Sequence, residues 1–466
     1  VPSMDAGRRR TEDHAGCGEF TAACTGGVVE AAEYGIREGR HMTAIGKPRH
    51  GNYILMSLMM IVSSMVVLQL GGRALFLWMQ IVFCVYMMCA VQKIGVVSDT
   101  AVNLVFLELI PCALSAVCSD MPYSYKKAAV VMTIYMIPFY LALYYMLMML
   151  NRSETFLAVL RRAVKIMCLV QLCWIPLQYV LYHVLHFDIN QAIFVDALHM
   201  VDNASFFRNW EYHPSGLSWH SAVLAPMFVF AMVMFESVPI RLLVLVDAAI
   251  CGNTTSLIGV LLCAALLICF RLPRLRWKSP TVRRVTLWTI VIAGAVGVLI
   301  ALRFNLFGAV WTRITYMFTR FAVGSEDAST AAHLGYFTDC VQILKTCSPM
   351  QLLFGYGLGC SGYPISVIYG RYTDLANWSI ECDIVNLIIS RGIIGFVLYY
   401  YFLLYIAVRG AKQDYRYLAV MLPILLQGLG YNIQWDYVVM LELIMYFCIK
   451  KKISFFDPVT KERTAI

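Results

Sequence analysis

The chain has 466 residues, of which 60% are hydrophobic and only 14% charged, whereas about a quarter of a typical soluble domain is charged. The apolar residues stand in long uninterrupted blocks, and membrane barrels show alternation instead. The composition therefore favours a helical membrane protein over a soluble domain or a barrel. The net charge of +9 does not indicate a nucleic-acid partner, because the basic residues cluster between apolar blocks, where they orient membrane helices.

Residues 1–41 differ from the rest of the chain, being polar and rich in Ala, Gly, Glu and Arg. They have no signal-peptide pattern. We expect them to be a disordered or non-native extension, with Met42 as the natural start. Residues 42–466 are then one polytopic membrane domain.

The apolar blocks predict an all-α bundle of about twelve transmembrane helices, since roughly 18 apolar residues cross a bilayer as a helix. A block at 240–270 is too long for one helix, and Gly252-Asn253-Thr254-Thr255 divides it into the seventh and eighth. The other predicted helices are 53–70, 74–91, 102–117, 128–149, 164–184, 216–235, 285–302, 384–407, 418–429 and 438–449.

The basic residues predict how this bundle is oriented. The strongest basic loop holds six Lys and Arg residues between 271 and 284, and such loops face the cytoplasm. Counting outward from it places both termini in the cytoplasm and two long segments, 186–215 and 303–383, outside. Lys126 and Lys127 also fall outside, which departs from the pattern.

The 16 Cys residues lie mostly in apolar blocks, where Cys acts as a small hydrophobe. No pair has a zinc-type spacing, so no metal site is predicted. Four fall in the second outer segment, and a disulfide among them stays open, because sequence cannot choose the pairing. They are Cys340, Cys347, Cys360 and Cys382.

Both outer segments carry cations. Arg208 stands among aromatic residues in the first, and its planar guanidinium suits phosphate oxygens. Its alternative is an interfacial arginine that pairs with Glu211 or anchors the next helix. Arg313 and Arg320 make the start of the second segment basic.

The second outer segment continues with an amphipathic helix, because Leu334, Phe337, Val341 and Leu344 recur at three- and four-residue steps. His333 and Tyr336 lie on adjoining faces, and a plain surface histidine is the alternative for His333. The glycine run at 353–359 lacks the strand–turn–helix context of a nucleotide-binding fold, so that interpretation is rejected.

Glu381 and Asp383 stand at the outer mouth of the tenth predicted helix. They are candidates for a general base, or alternatively carboxylates that the helix dipole stabilises. Arg391 and Asp247 lie at membrane depth, where charges are costly and face the bundle interior or a cavity. Each is a functional candidate or a structural ion-pair partner.

Four passages, in this order and spacing, resemble the O-antigen polymerase and O-antigen ligase superfamily. They are Arg208 with Pro214-Ser215-Gly216-Leu217, Thr255-Ser256-Leu257-Ile258-Gly259, residues 329–336 with 353–359, and Glu381 through Gly392-Ile393-Ile394-Gly395. Three positions depart from the family pattern. Leu257 and His333 stand where Arg is common, and Glu381-Cys382 stands where ligases carry His-Asn, which favours a polymerase.

The resemblance implies a metal-independent, cofactor-free glycosyltransferase of the bacterial cytoplasmic membrane, with its active site facing the periplasm or exterior. It would polymerise undecaprenyl-pyrophosphate-linked oligosaccharide repeat units for O-antigen, capsule or exopolysaccharide. The implied partners are this lipid-linked glycan, the lipid bilayer, a chain-length regulator and a flippase.

The resemblance also implies roles for particular residues. Arg208, with Arg313 or Arg320, would hold the pyrophosphate, and Glu381 would accept the proton of the acceptor hydroxyl. His333 would position either group. Asp383, Arg391 and Tyr336 are secondary candidates.

Two other functions stay open from sequence. A ligase would transfer finished polysaccharide to a lipid or protein acceptor. A transporter or flippase would place polar groups near the membrane midplane on broken helices, and Asp247, Arg391 and the break at Gly252 favour it.

Overall fold

The computed structural model describes residues 50–90, 97, 99–205, 207–208, 211–218, 220–271, 328–370 and 380–457. These residues are predominantly helical, with two short hairpins, which confirms the all-α class. Three stretches are long and apolar enough to span a membrane: Thr100–Cys118, Tyr123–Asn151 and Asp383–Gln413. The count of about twelve spans stays a prediction. The extension at 1–41, the predicted helix 285–302, Arg313 and Arg320 lie outside the described residues.

The helices succeed one another along the chain, interrupted by two strand pairs. The first helices are α1 (His50–Val62), α2 (Leu75–Ala90), α3 (Thr100–Leu107), α4 (Leu109–Cys118), α5 (Tyr123–Arg152), α6 (Glu154–Leu185), α7 (Ala225–Met234), α8 (Val238–Ile250) and α9 (Thr254–Arg271). After residues 272–327 come α10 (Ala328–Thr346), α11 (Pro349–Phe354), α12 (Gly362–Tyr369), α13 (Asp383–Tyr405), α14 (Ala411–Gln413), α15 (Tyr415–Gln427) and α16 (Asp436–Lys450). The antiparallel strand pairs are β1 (Gln69–Leu70) with β2 (Arg73–Ala74), and β3 (Phe207–Arg208) with β4 (Glu211–Tyr212).

The first predicted helix, 53–70, is wrong in its second half. Helix α1 ends at Val62, and the chain then forms the β1–β2 hairpin. Gly71 and Gly72 both have positive φ, 61° and 70°, which side-chain-bearing residues rarely adopt. These two glycines form the turn between β1 and β2.

The predicted division of the 240–270 block is confirmed. Gly252 has φ 68° between α8 and α9. Asn253 Oδ1 accepts a hydrogen bond of 3.1 Å from the Ser256 amide, which caps the start of α9. The third predicted helix, 102–117, is also confirmed: Glu108, between α3 and α4, keeps helical dihedrals of φ −60° and ψ −25°, and Thr100–Cys118 forms one apolar stretch.

Several helices of the bundle are short. Helices α8 and α15 have 13 residues and α16 has 15, which corresponds to about 20–22 Å along the axis. A bilayer hydrocarbon core is about 30 Å thick. Helices of this length reach only part of the way across.

The tenth predicted helix, 384–407, is not a straight rod. In α13, Gly392 has φ 69° and ψ −174°, which is not helical. Tyr400 Oη donates to Asp383 Oδ2 at 3.3 Å, whereas a straight helix would separate these residues by about 25 Å. Helix α13 therefore consists of two arms, 383–391 and 393–405, that fold toward each other.

The glycine run after α11 fills the bend of α13. The amide of Tyr356 donates to Ile389 O at 2.8 Å, and the amide of Gly357 donates to Ser390 O at 2.9 Å. A Cβ at Gly355 would collide with the backbone of Ser390. The run thus satisfies carbonyls that the bend would otherwise leave unpaired.

Candidate functional site

A cavity of about 340 Å³ lies beside the bend of α13. Its walls come from the end of α1, the middle of α5, the first arm of α13 and the loop that leads into α16. The predicted orientation places all these parts toward the outer side. The cavity is the natural candidate site, because ligand sites are concave, mostly apolar and carry a few convergent polar groups.

One wall of the cavity is polar. Asn386, Asn432, Gln434 and Asp436 line it together with Trp435. The side chain of Asp436 stands in the first turn of α16, where the helix dipole favours negative charge. Among the described residues, its carboxylate has no hydrogen-bond or ion-pair partner. Sequence reasoning missed Asp436, although an acid directly before an apolar helix is a usable signal.

Arg391 lines the cavity, but the buried carboxylate of Glu108 neutralises its charge. Its Nη1 donates to Glu108 Oε2 at 3.1 Å and to Tyr140 Oη at 3.3 Å. The two charged side chains are 9% and 3% exposed. Burial of such a pair is tolerated only while both partners are present. Arg391 is thus the ion-pair partner of Glu108. Glu108 is not among the candidates identified from the sequence, although an acid inside an apolar block is a recognised signal.

Asp383 supports the polar wall rather than facing the cavity. It is fully buried, and its Oδ1 accepts from the Ile433 amide at 3.1 Å and from Gln434 Nε2 at 3.0 Å. Its Oδ2 accepts from Tyr400. Asp383 therefore fixes the loop that carries Gln434 and Asp436.

Helix α10 packs against the start of α13 through a buried apolar cluster. Cys340, Ile343, Cys382 and Val385 belong to this cluster. Burial, and then the nearby Glu381 carboxylate, raise the pKa of Tyr336 above its ordinary value. The structure thus brings the helix that carries His333 and Tyr336 to the Glu381 segment. The side chain of His333 lies outside the described part.

Helix α10 is also tied to α12. Tyr369 Oη donates to both carboxylate oxygens of Asp339, at 3.0 and 3.1 Å. Burial raises the pKa of Asp339 despite this bond.

The four cysteines among which the sequence leaves a disulfide open are all free thiols: Cys340, Cys347, Cys360 and Cys382.

Arg208 lies in the β3–β4 hairpin, which packs on the end of α6. The rings of Tyr182 and Tyr212 stack at 4.0 Å there. The strand register places Arg208 opposite Glu211, the partner that the non-catalytic interpretation assigns to it. The side chain of Arg208 lies outside the described part, as that of His333 does. The catalytic assignments of Arg208, His333 and Glu381 stay predictions.

Asp247 is fully buried in α8, and neither of its carboxylate oxygens has a hydrogen-bond partner in the described structure. It does not line the cavity beside α13.

Within the described ranges, no group of three or more His, Cys, Asp and Glu side chains is arranged to hold a metal ion.

No protein-family model matches the chain, and no curated protein matches it. The family resemblance therefore rests on the four sequence passages alone. The cavity provides a second and independent basis for considering function.

Proposed function

We propose that the protein is a membrane glycosyltransferase that polymerises undecaprenyl-pyrophosphate-linked oligosaccharide repeat units at the outer face of the bacterial cytoplasmic membrane. The observation that carries this proposal is the polar wall of the cavity. There, the unpaired Asp436 carboxylate stands beside Asn386, Gln434 and Trp435 of the described helical bundle. About twelve spans, with both termini in the cytoplasm, complete the proposed topology.

The wall has the chemistry of a sugar site. Amide side chains both donate and accept hydrogen bonds, and a carboxylate accepts them, so each suits sugar hydroxyls. An indole ring adds an apolar face with a polar edge. Met132, Met136 and Phe76 also line the cavity and are apolar. A glycan attached to a lipid has both the polar and the apolar groups that such a lining suits.

The proposed reaction needs one base and one anion site. The acceptor hydroxyl attacks the anomeric carbon of the donor, the bond to the pyrophosphate oxygen breaks, and the hydroxyl proton passes to a carboxylate. Asp436 lines the cavity, and Glu381 stands two residues before Asp383, which holds the cavity wall. Either carboxylate can serve as this base under the proposal.

The leaving pyrophosphate gains negative charge in the transition state, so fixed cations there would accelerate the reaction. Arg391 is not the best candidate, because Glu108 already neutralises it. Under the proposal, the cations that stabilise the leaving pyrophosphate are therefore Arg208, Arg313 and Arg320 of the outer segments.

The surface glycan of a deletion strain tests the proposal. Complementation with wild type should restore a ladder of chain lengths, whereas Asp436→Asn should leave single repeat units on the acceptor. Glu381→Gln tests the second carboxylate in the same way. Asp202→Asn, at an exposed position of the outer segment, is the matched control and should restore the ladder.

Membrane levels of each variant are measured alongside the ladders. Full ladders from both Asp436→Asn and Glu381→Gln would overturn the site assignment. A deletion strain with no attached chain and with accumulated lipid-linked polymer would indicate the ligase instead.

A transporter or flippase is the second candidate, and the folding of α13 favours it. Transporters bind substrate near the bilayer midplane between the arms of broken helices. The cavity lies beside such a bend, at Gly392. Movement of a labelled lipid-linked glycan across the membrane of liposomes that contain the protein would support this function.

A further inference from the structure

Buried polar groups continue from the cavity into the bundle. Gln434 lines the cavity and donates to Asp383, and Asp383 accepts from Tyr400 on the second arm of α13. These three side chains form a hydrogen-bonded connection from the cavity to the interface between α13 and α16. The proposed transferase reaction does not use Tyr400.

Glu442 lies on α16 at this interface. It is 1% exposed, and its Oε1 has no hydrogen-bond partner in the described structure. Tyr399 and Tyr400 of α13 both interact with it electrostatically. A buried carboxyl group without a cationic partner is costly, and in membrane proteins such groups mark ion or proton pathways.

The polar groups continue toward the other end of the bundle. Tyr446 follows Glu442 by four residues, so the two side chains share one face of α16. Tyr446 Oη donates to the Asp99 carboxylate at 3.2 and 3.3 Å. Lys450 Nζ lies 3.5 Å from the same carboxylate and is 44% exposed. The predicted orientation places Asp99 and Lys450 at the cytoplasmic end.

We propose that Asp383, Tyr400, Glu442, Tyr446 and Asp99 form a proton path from the cavity to the cytoplasmic end of the bundle, with Glu442 as its relay. Carboxyl and phenol groups can each donate and accept a proton-carrying hydrogen bond. A proton enters from the cavity, is taken up by Glu442 and leaves at Asp99. No other reactant is needed.

The groups that face Glu442 suit a proton better than a metal cation. The second arm of α13 contributes Tyr399 and Tyr400, and the first arm contributes Asp383, which acts on Glu442 electrostatically. Tyr140 of α5, a helix that also packs on α16, interacts electrostatically with Asp436 at the cavity end. Arg409, in the π-helical turn Ile406–Gly410 that follows α13, is exposed. The described part of the chain thus offers Glu442 no cation as a permanent partner.

Proton flux into liposomes tests this path. The full-length protein is reconstituted with a pH-sensitive dye inside, and a potassium diffusion potential drives protons inward. Wild type should acidify the lumen faster than protein-free liposomes. Glu442→Gln should lower the flux to the protein-free level, and Glu442→Asp should retain part of it.

A second variant interrupts the proton path between Glu442 and Asp99. Tyr446→Phe removes only the hydroxyl that bonds Asp99 and should also abolish the flux. Tyr405→Phe is its control, because the Tyr405 ring packs on Tyr446 at 4.9 Å without a hydrogen bond in the described structure.

Wild-type flux no faster than that of protein-free liposomes would overturn the proposal. So would wild-type flux in Glu442→Gln or, if that variant does not fold, in Tyr446→Phe. The assay contains no glycan, so its outcome is independent of the transferase activity.

Discussion

Tyr400 donates a hydrogen bond to Asp383 at 3.3 Å, although the two stand 17 positions apart in the same apolar block. This bond closes the fold of α13 at Gly392. It also links the loop that carries Asp436 to the second arm of the helix, because Asp383 simultaneously accepts from Gln434. The shape of the cavity therefore depends on the bend.

Gly392→Ala should prevent correct folding. An alanine at φ 69° and ψ −174° costs about 1–3 kcal/mol, and its Cβ would also collide with the Leu353 backbone. Fluorescence-detected size-exclusion chromatography in detergent measures the folded fraction. Gly335→Ala is the matched control, since Gly335 has open space around it, and it should give a wild-type profile. A wild-type profile from Gly392→Ala would contradict the bend.

Asp383→Ala should destabilise the protein more than Tyr400→Phe. The alanine leaves the Ile433 amide and the Gln434 side chain without their acceptor, at about 1–3 kcal/mol for each buried group. The phenylalanine removes one hydrogen bond, worth about 0.5–1.5 kcal/mol. Thermal unfolding in detergent gives the ranking. Equal unfolding midpoints for the two variants would show that Asp383 does not hold the loop.

The Arg391–Glu108 pair should show strong coupling in a double-mutant cycle. Arg391→Met alone leaves a buried carboxylate, which costs about 3–5 kcal/mol. Glu108→Gln in the same chain removes that charge, so the double variant should recover much of the lost stability. The unfolding midpoints of all four proteins are compared. Additive losses would mean that the two side chains do not interact.

Asp457 should stabilise the C-terminal segment at neutral pH but not in strong acid. Burial alone would raise its pKa, but the hydrogen bonds and charges of Lys165 and Arg161 outweigh this and lower the pKa below 3.8. The contribution of a depressed carboxyl pKa is full above the unfolded value and is lost as pH falls through the folded one.

The comparison of wild type with Asp457→Asn measures this contribution. The unfolding midpoints should differ at neutral pH and converge in strong acid, once the pH has fallen through the lowered pKa of the folded carboxyl group. Asp202→Asn should show no such pH-dependent difference. A difference that persists unchanged into strong acid would exclude an ionic role for Asp457.

Apolar length and break signals are enough to predict the helical class and the division at Gly252. They do not predict the bend at Gly392, because one glycine in an apolar run is compatible with a continuous helix. What distinguishes Gly392 is the backbone of Leu353, which occupies the place of a Cβ. That contact is tertiary and leaves no local signal.

The candidate site is predictable only in part. Glu381, Asp383 and Arg391 are conspicuous in the sequence because they are charges near an apolar block. The pairing of Arg391 with Glu108 is not visible in the sequence, since the two stand 283 positions apart. In the sequence Asp436 is one more acid before an apolar helix, and only the folded chain shows that it lines the same cavity as Asn386.

Chain extension by the purified protein tests the proposed function most directly. Wild type and Asp436→Asn are each incubated in detergent with lipid-linked repeat units, and the product lengths are resolved on a gel. The proposal predicts a ladder of products from wild type and unextended units from Asp436→Asn. Unextended units from folded wild-type protein, under conditions where the substrate is bound, would contradict it.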